Sequence, residues 1–352
     1  MRVSIRCEGS AAIGLGHVRR CMLLANELHR LNAEVGFVTR SGETLTQELA
    51  DIPYPVIDIS KSDEDGEFEA IMQSGDIHVL DLLGDTESLQ KRLFRAGAKF
   101  LVIDGSGRVP CWARWLVDPY PIVRKDSFER ELRRSSDTEY LGGADFALYS
   151  ALPEPLPDQQ DNQVAVCMGG GDDRGTVELI LQGLEQVSQP LEIMVYTGSL
   201  NPNISSIEAC VQSSRHSVKL VLNQPLLQYS TSQARFGFCA GGVTCYEMAS
   251  MGLFLMTLPF VENQRRAARA WAEIGAGAFM GDAENVNPAL IAQTMNQWLA
   301  DVGHAREISS ASRQHFRGQG AGRIALALWN ELCSDRAKCR LQKQDNPSTS
   351  PK

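Results

Sequence analysis

His17 follows Gly16 directly in the segment GSAAIGLGHVRR, residues 9–20, between an apolar β-rich run and an amphipathic stretch. Gly14 and Gly16 let the backbone approach a ligand closely and leave N–H groups free at a helix start, an arrangement that holds an anion. An imidazole at the positive end of a helix is held neutral, so His17 is expected to accept a proton from water. The competing reading is a histidine that only caps the helix, and the adjoining glycines with Arg19 and Arg20 weigh against it. The spacing matches neither GxxxxGK(S/T) nor GxGxxG, so neither standard phosphate motif is present.

Two further glycine turns follow strand-like runs. The first is CMGGGDD, Cys167–Asp173, where Gly170 and Gly171 leave room for a phosphate or sugar and Asp172 or Asp173 reads as a helix cap. The second is CAGGVTCYEMASMG, Cys239–Gly252, followed by LPFVENQ, Leu258–Gln264. Here Gly241 and Gly242 end a strand and a helix begins near Val243, so the N–H groups around Val243 and Thr244 are available to a diphosphate. Glu247, one turn further in, is placed to accept hydrogen bonds from two ribose hydroxyls. Simple compensation of the helix dipole is the alternative for this residue.

The order Gly241, Gly242, Thr244, Glu247, Gly252, Pro259, Asn263, Gln264 resembles the nucleotide-sugar site of GT-B proteins, such as the lipid-linked N-acetylglucosaminyltransferase of peptidoglycan synthesis. Together with IGLGHVRRCMLLANEL, CMGGGDD and SLNPN (Ser199–Asn203), it resembles the UDP-2,4-diacetamido-2,4,6-trideoxy-β-L-altropyranose hydrolase family of the pseudaminic acid pathway. Related spore-coat polysaccharide glycosyltransferase-like proteins share that framework, and the likeness covers roughly residues 1–281. The resemblance implies that His17 is the general base and that the second domain holds the uridine diphosphate. Gly14, Gly16, Arg19, Gly170, Gly171, Gly241, Gly242, Val243, Thr244, Glu247, Asn263 and Gln264 would then line the substrate.

The activity so implied is hydrolysis of a UDP-activated amino or deoxy sugar at its anomeric carbon, in nonulosonic acid or surface polysaccharide biosynthesis. A glycosyltransferase using the same base and nucleotide site is the alternative, and a nucleotide-sugar-binding protein without turnover is the third reading. No cofactor is expected, and no DxD or clustered metal signature stands out. Two stretches depart from the family. Asp81-Leu82-Leu83 stands where an Asp-His-Tyr run is usual, and Asp104-Gly105 where two acids are usual. Trp112 and Trp115 read as packing residues.

These turns need strands and helices to hold them. Apolar runs alternate with amphipathic stretches along most of the 352 residues, which is the pattern of βαβ units around parallel sheets. Strands are expected at Val3–Cys7, Val35–Val38, Val56–Ile59, His78–Leu82 and Phe100–Ile103, and later at QVAVCM, LEIMVYT, VKLVL, RFGFCA and LFLMTL. In the first helix Val18, Cys21, Met22, Ala25 and Leu28 share one face. The proline-rich stretch ALPEPLPDQQDNQ, 151–163, suits an extended connector. The expectation is therefore an α/β, GT-B-like chain with two Rossmann-like domains and a cleft between them. Residues 1–150 carry the histidine loop, 164–333 the nucleotide site and 334–352 a disordered tail.

The net charge of −9 argues against nucleic acid as a partner. No run of about 18 apolar residues occurs, so no integral membrane segment is expected. Nine scattered cysteines without a CxxC pair suit reduced thiols in a cytoplasm.

Overall fold

Val3, Ile5 and Cys7 alternate with Ser4 and Arg6 along the first strand, yet all five are buried. Burial on both faces is what a central strand of a covered parallel sheet requires. The computed structural model describes residues 1–9, 16–40, 53–104, 109–199 and 201–331. Its first sheet is built from β1 (Arg2–Cys7), β2 (Glu34–Thr39), β3 (Val56–Asp58), β4 (Ile77–Asp81), β5 (Lys99–Ile103), β6 (Trp115–Asp118) and β7 (Glu139–Gly142). The order is β3-β2-β1-β4-β5-β6-β7, every pairing parallel. Helices α1 (Gly16–Arg30), α2 (Glu64–Ser74) and α3 (Glu87–Arg95) lie in its crossovers.

On α1 the stripe Val18, Cys21, Leu24, Ala25, Leu28 packs into the core shared with β1. Leu24 and Leu28 have no exposed surface, which stabilises the helix on the sheet by about 2 kcal/mol each. Trp115, as expected, is a core residue, and Trp112 packs its ring 5.4 Å from that of Phe94.

The second sheet contains β8 (Gln160–Cys167), β9 (Glu192–Thr197), β10 (Ser217–Leu222), β11 (Ala234–Cys239), β12 (Phe254–Thr257) and β13 (Gly277–Phe279). Its order is β10-β9-β8-β11-β12-β13, again parallel. Helices α4 (Thr176–Leu184), α5 (Ile204–Ser213), α6 (Val243–Ser250), α7 (Glu262–Glu273), α8 (Pro288–Ala300) and α9 (Val302–His315) accompany it. The chain is thus α/β with two Rossmann-like parallel sheets. Each sheet reverses its direction of growth once, at β1/β4 and at β8/β11, and such reversals open the crevices in which ligands bind.

Two expected boundaries differ. β8 begins at Gln160, inside the stretch expected as a connector, because the prolines end at Pro157 and Gln160 already pairs with Ala234 on β11. The residues expected to close the second domain do not all belong to it. Residues 320–331 form a helix, α10, whose Ala321, Ile324, Ala325 and Leu328 enter the core of the first sheet. Their i, i+3, i+4, i+7 spacing makes one apolar stripe, and that stripe finds its partner on α1 and β1. The expected tail, 334–352, lies outside the described residues, as do Gly14 and Gly105. Cys7, Cys21, Cys111, Cys167, Cys210, Cys239 and Cys245 are free thiols. Among the described residues no helix is long and apolar enough to cross a membrane.

Candidate active site

Cys7 and Asp81 are register partners on β1 and β4, so the last residue of β4 ends beside the first turn of α1. His17, the second residue of α1, places Nδ1 2.8 Å from Asp81 Oδ1. Arg20, one turn on, donates from Nε to Asp81 Oδ2 at 2.6 Å and from Nη2 to Oδ1. The Cys21 thiol donates to Oδ2 at 3.3 Å. Asp81 has no exposed side-chain surface and His17 keeps 14%.

Burial pushes the Asp81 carboxyl up. The charge and hydrogen bonds of Arg20, joined by the bond from His17, outweigh it and hold the carboxyl well below the usual range. An ionised carboxylate only accepts, so Nδ1 carries the hydrogen, and in the neutral ring Nε2 is the nitrogen with the lone pair. Arg20 Nη2 also lies 3.0 Å from Nδ1, an approach of two donors that the carboxylate between them offsets. Gly16 opens α1 at the surface, with open space where a side chain would begin.

In the second sheet, Gly241 has φ 115°, and a Cβ there would meet Gln264 O at 2.9 Å and Ala268 N at 3.0 Å. Only glycine fits this turn. Gly242 is the N-cap of α6 and, having no side chain, makes no cap bond, and no side chain among the described residues bonds the N–H groups at Val243 and Thr244. Glu247 is partly exposed, one turn in, and no side chain among the described residues hydrogen-bonds its carboxylate. Burial pushes that carboxyl up to about 7, a shift that the charge of Arg19 only partly opposes. Arg19 also acts on Cys167 at the end of β8, whose thiol burial pushes up to about 11. Arg19, in the first turn of α1, is therefore near enough to α6 and to the end of β8 for its charge to act on Glu247 and Cys167.

The glycine run after β8 packs on the turn after β9. A Cβ on Gly198 would sit 2.2 Å from the carbonyl oxygen of Gly170. Asp172 and Asp173, expected as caps of α4, brace this turn instead, and the N-cap is Gly175 without a side-chain bond. Asp172 Oδ1 accepts from Arg174 N at 2.8 Å and Asp173 Oδ1 from Gly175 N at 2.9 Å. Asn201 and Asn203, from the SLNPN segment, donate to Asp173 at 3.1 and 2.8 Å. These bonds hold Gly170 and Gly171 at the carboxyl end of β8. Gln264 Oε1 accepts from Phe260 N at 3.3 Å and braces the β12–α7 loop, while the side chain of Asn263 on α7 lies outside the described residues.

Sequence reasoning named Asp81 only as the first residue of the stretch that departs from the family's Asp-His-Tyr run, and not as a partner of His17. Its signal was an acid closing a strand whose five residues are all buried, a position that demands a cationic or hydrogen-bonding partner.

No protein-family model matches the chain. It is 21% identical over 341 residues to the spore coat polysaccharide biosynthesis protein SpsG of Bacillus subtilis, covering 93% of this chain and 98% of that protein. Among solved structures, CalG4, the calicheamicin glycosyltransferase, superposes with a TM-score of 0.62 at 14% identity, covering 94% of this chain and 98% of its own. The UDP-GlcNAc 2-epimerase of Neisseria meningitidis, bound to UDP-GlcNAc, superposes with a TM-score of 0.60 at 14% identity over 94% of this chain and 100% of its own. The fold is that of the GT-B proteins.

Proposed function

We propose that the protein is a glycosyltransferase that uses a nucleotide sugar, in the synthesis of a surface polysaccharide. One observation carries the reading: the buried Asp81 carboxylate holds His17 through Nδ1, which leaves Nε2 as acceptor, on the helix whose Arg19 acts on Glu247 of α6. Nε2 takes the proton of an acceptor hydroxyl as its oxygen attacks the anomeric carbon. The bond from that carbon to the β-phosphate oxygen breaks, and the nucleoside diphosphate leaves with the electron pair. The N–H groups at Gly242, Val243 and Thr244, together with the Arg19 guanidinium, neutralise the charge that develops on it. Glu247 accepts the ribose hydroxyls, and the glycine run of β8, with Gly170 and Gly171, closes the other wall.

The name of the spore coat relative and the glycosyltransferase among the structural neighbours support transfer over hydrolysis. Hydrolysis uses the same base with water in place of the hydroxyl, and it is the reading the sequence motifs favoured. Incubation with a panel of UDP-sugars, with and without hydroxyl acceptors, separates the two. Transfer gives nucleotide release that depends on the acceptor and a glycosylated product. Acceptor-independent release of free sugar identifies a hydrolase, and no release from any donor removes the enzymatic reading.

A further inference from the structure

Tyr246 and Tyr120 sit on opposite sides of the junction between the sheets, and each gives its hydroxyl to a backbone carbonyl of the other side. Tyr246, on α6, donates to the carbonyl of Pro119, the residue after β6. Tyr120, the next residue, donates to the carbonyl of Arg266 on α7 at 2.9 Å. Adjacent positions of one strand end thus carry one bond in each direction. Both tyrosines are buried.

Each ring is also held by its surroundings. Tyr246 stacks on Tyr149 with centroids 5.1 Å apart and meets Trp271 and Phe316 edge-on at 4.6 and 5.9 Å. Tyr149 and Phe316 lie where the chain leaves the first sheet and where it returns to it. Tyr120 lies under two guanidinium groups, Arg124 at 4.1 Å and Arg266 at 5.2 Å, one from each side. Sliding one sheet past the other would leave buried hydroxyls and carbonyls unpaired, so these bonds resist it.

Glu247 follows Tyr246 in sequence, and the turn at Gly241–Gly242 begins the same helix, so both move with the Tyr246 ring. His17 and Asp81 belong to the sheet that carries Pro119 and Tyr120. We infer that Tyr120 and Tyr246 form a clasp that sets the distance between the histidine and the nucleotide-facing helix, which makes them positioning residues. Its catalytic consequence rests on the function proposed above; the clasp itself does not.

The test is the double variant Tyr120→Phe, Tyr246→Phe, which keeps both rings and removes both hydroxyls. Spin labels attached through a ketone-bearing residue at exposed Glu69 and Glu208, one on each sheet's helices, report the distribution of distances between the domains. The wild-type full-length protein should give one narrow distribution, and the double variant a distribution broadened about twofold. UDP affinity by calorimetry should stay within about twofold, because Glu247 and the α6 start are intact. With the donor found active, kcat should fall about tenfold while KM changes little, as expected for misplaced reacting groups. A double variant with the wild-type distance distribution overturns the clasp, whatever its turnover. A broadened distribution with unchanged kcat overturns the positioning role. If the wild type turns over no donor, the functional reading fails and the distance measurement alone decides the clasp.

Discussion

Nδ1 of His17 lies 2.8 Å from Oδ1 of Asp81, a carboxylate with no exposed surface that Arg20 holds from the other side. The pairing fixes both the ring's orientation and its tautomer. Asp81→Asn keeps the size of the side chain but removes the charge that specifies Nδ1–H. Turnover in the folded variant should fall by roughly a hundredfold or more, with nucleotide affinity little changed. Arg20 is left without its buried partner, so unfolding free energy should drop by about 3–5 kcal/mol. Steady-state kinetics and urea melts on one preparation check both, and wild-type kcat in the variant would separate Asp81 from the chemistry.

On the function proposed above, Glu247 sets how nucleotide binding depends on pH. Its carboxyl is pushed up to about 7, and only the ionised form accepts hydrogen bonds from both ribose hydroxyls. Affinity for a UDP-sugar should therefore rise about tenfold between pH 6 and pH 8, following the ionised fraction of a group with that pKa. Glu247→Gln should bind more weakly and without this slope. A UDP-sugar is the right probe because it lacks the terminal phosphate ionisation of UDP, and parallel slopes for the two proteins would contradict the assignment.

Below the site, Ser4 Oγ and His78 Nδ1 meet at 2.8 Å in the core, and burial pushes the His78 pKa down to about 4. The unfolded chain, with an ordinary histidine near 6.5, binds more protons between those values. This contribution is fully present above pH 6.5 and is lost as pH falls toward 4. It amounts to about 3 kcal/mol by linkage. Denaturant titrations at pH 7 and pH 4 should show that His78→Asn loses less stability over this interval than the wild type. Equal losses would mean that His78 does not set the acid limit.

Gly198 and Gly170 touch backbone to backbone, which leaves no space for a methyl group. Gly198→Ala should cost about 1–3 kcal/mol of stability, the usual penalty for overpacking. It should also weaken nucleotide binding, because the glycine run after β8 must move. Calorimetry on the folded variant checks the second effect, and unchanged affinity would remove Gly170 from the binding wall.

Periodicity alone made much of this fold legible. Five strands of the first sheet and the start of α6 at Val243 lie within a residue or two of their expected places, four of those strands because largely buried parallel strands are rich in apolar residues, and β3 as a short apolar run on the exposed edge of the sheet. β7 (EYLG) and β13 (GAF) mix glycine or charge with few apolar residues and are only partly buried, so they carry little pattern, and Pro119 and Pro121 mask the end of β6. The histidine and the glycine turns were visible because their chemistry is local. Asp81, 64 residues from His17, meets it only through the β1–β4 crossover. Arg20 and Tyr246 likewise owe their roles to partners distant in sequence, and α10 follows the second domain in sequence while its apolar stripe packs in the core of the first.

Nucleotide release by His17→Ala tests the central claim most directly, since the proposed function makes Asp81, Arg20 and the start of α1 the setting of one proton acceptor. With the donor and acceptor that the wild type uses, release should fall by about a hundredfold to ten-thousandfold. The thermal melt should shift little, and UDP affinity, which the proposed function assigns to α6, should stay near the wild-type value. A folded His17→Ala protein that releases nucleotide at the wild-type rate would contradict the account.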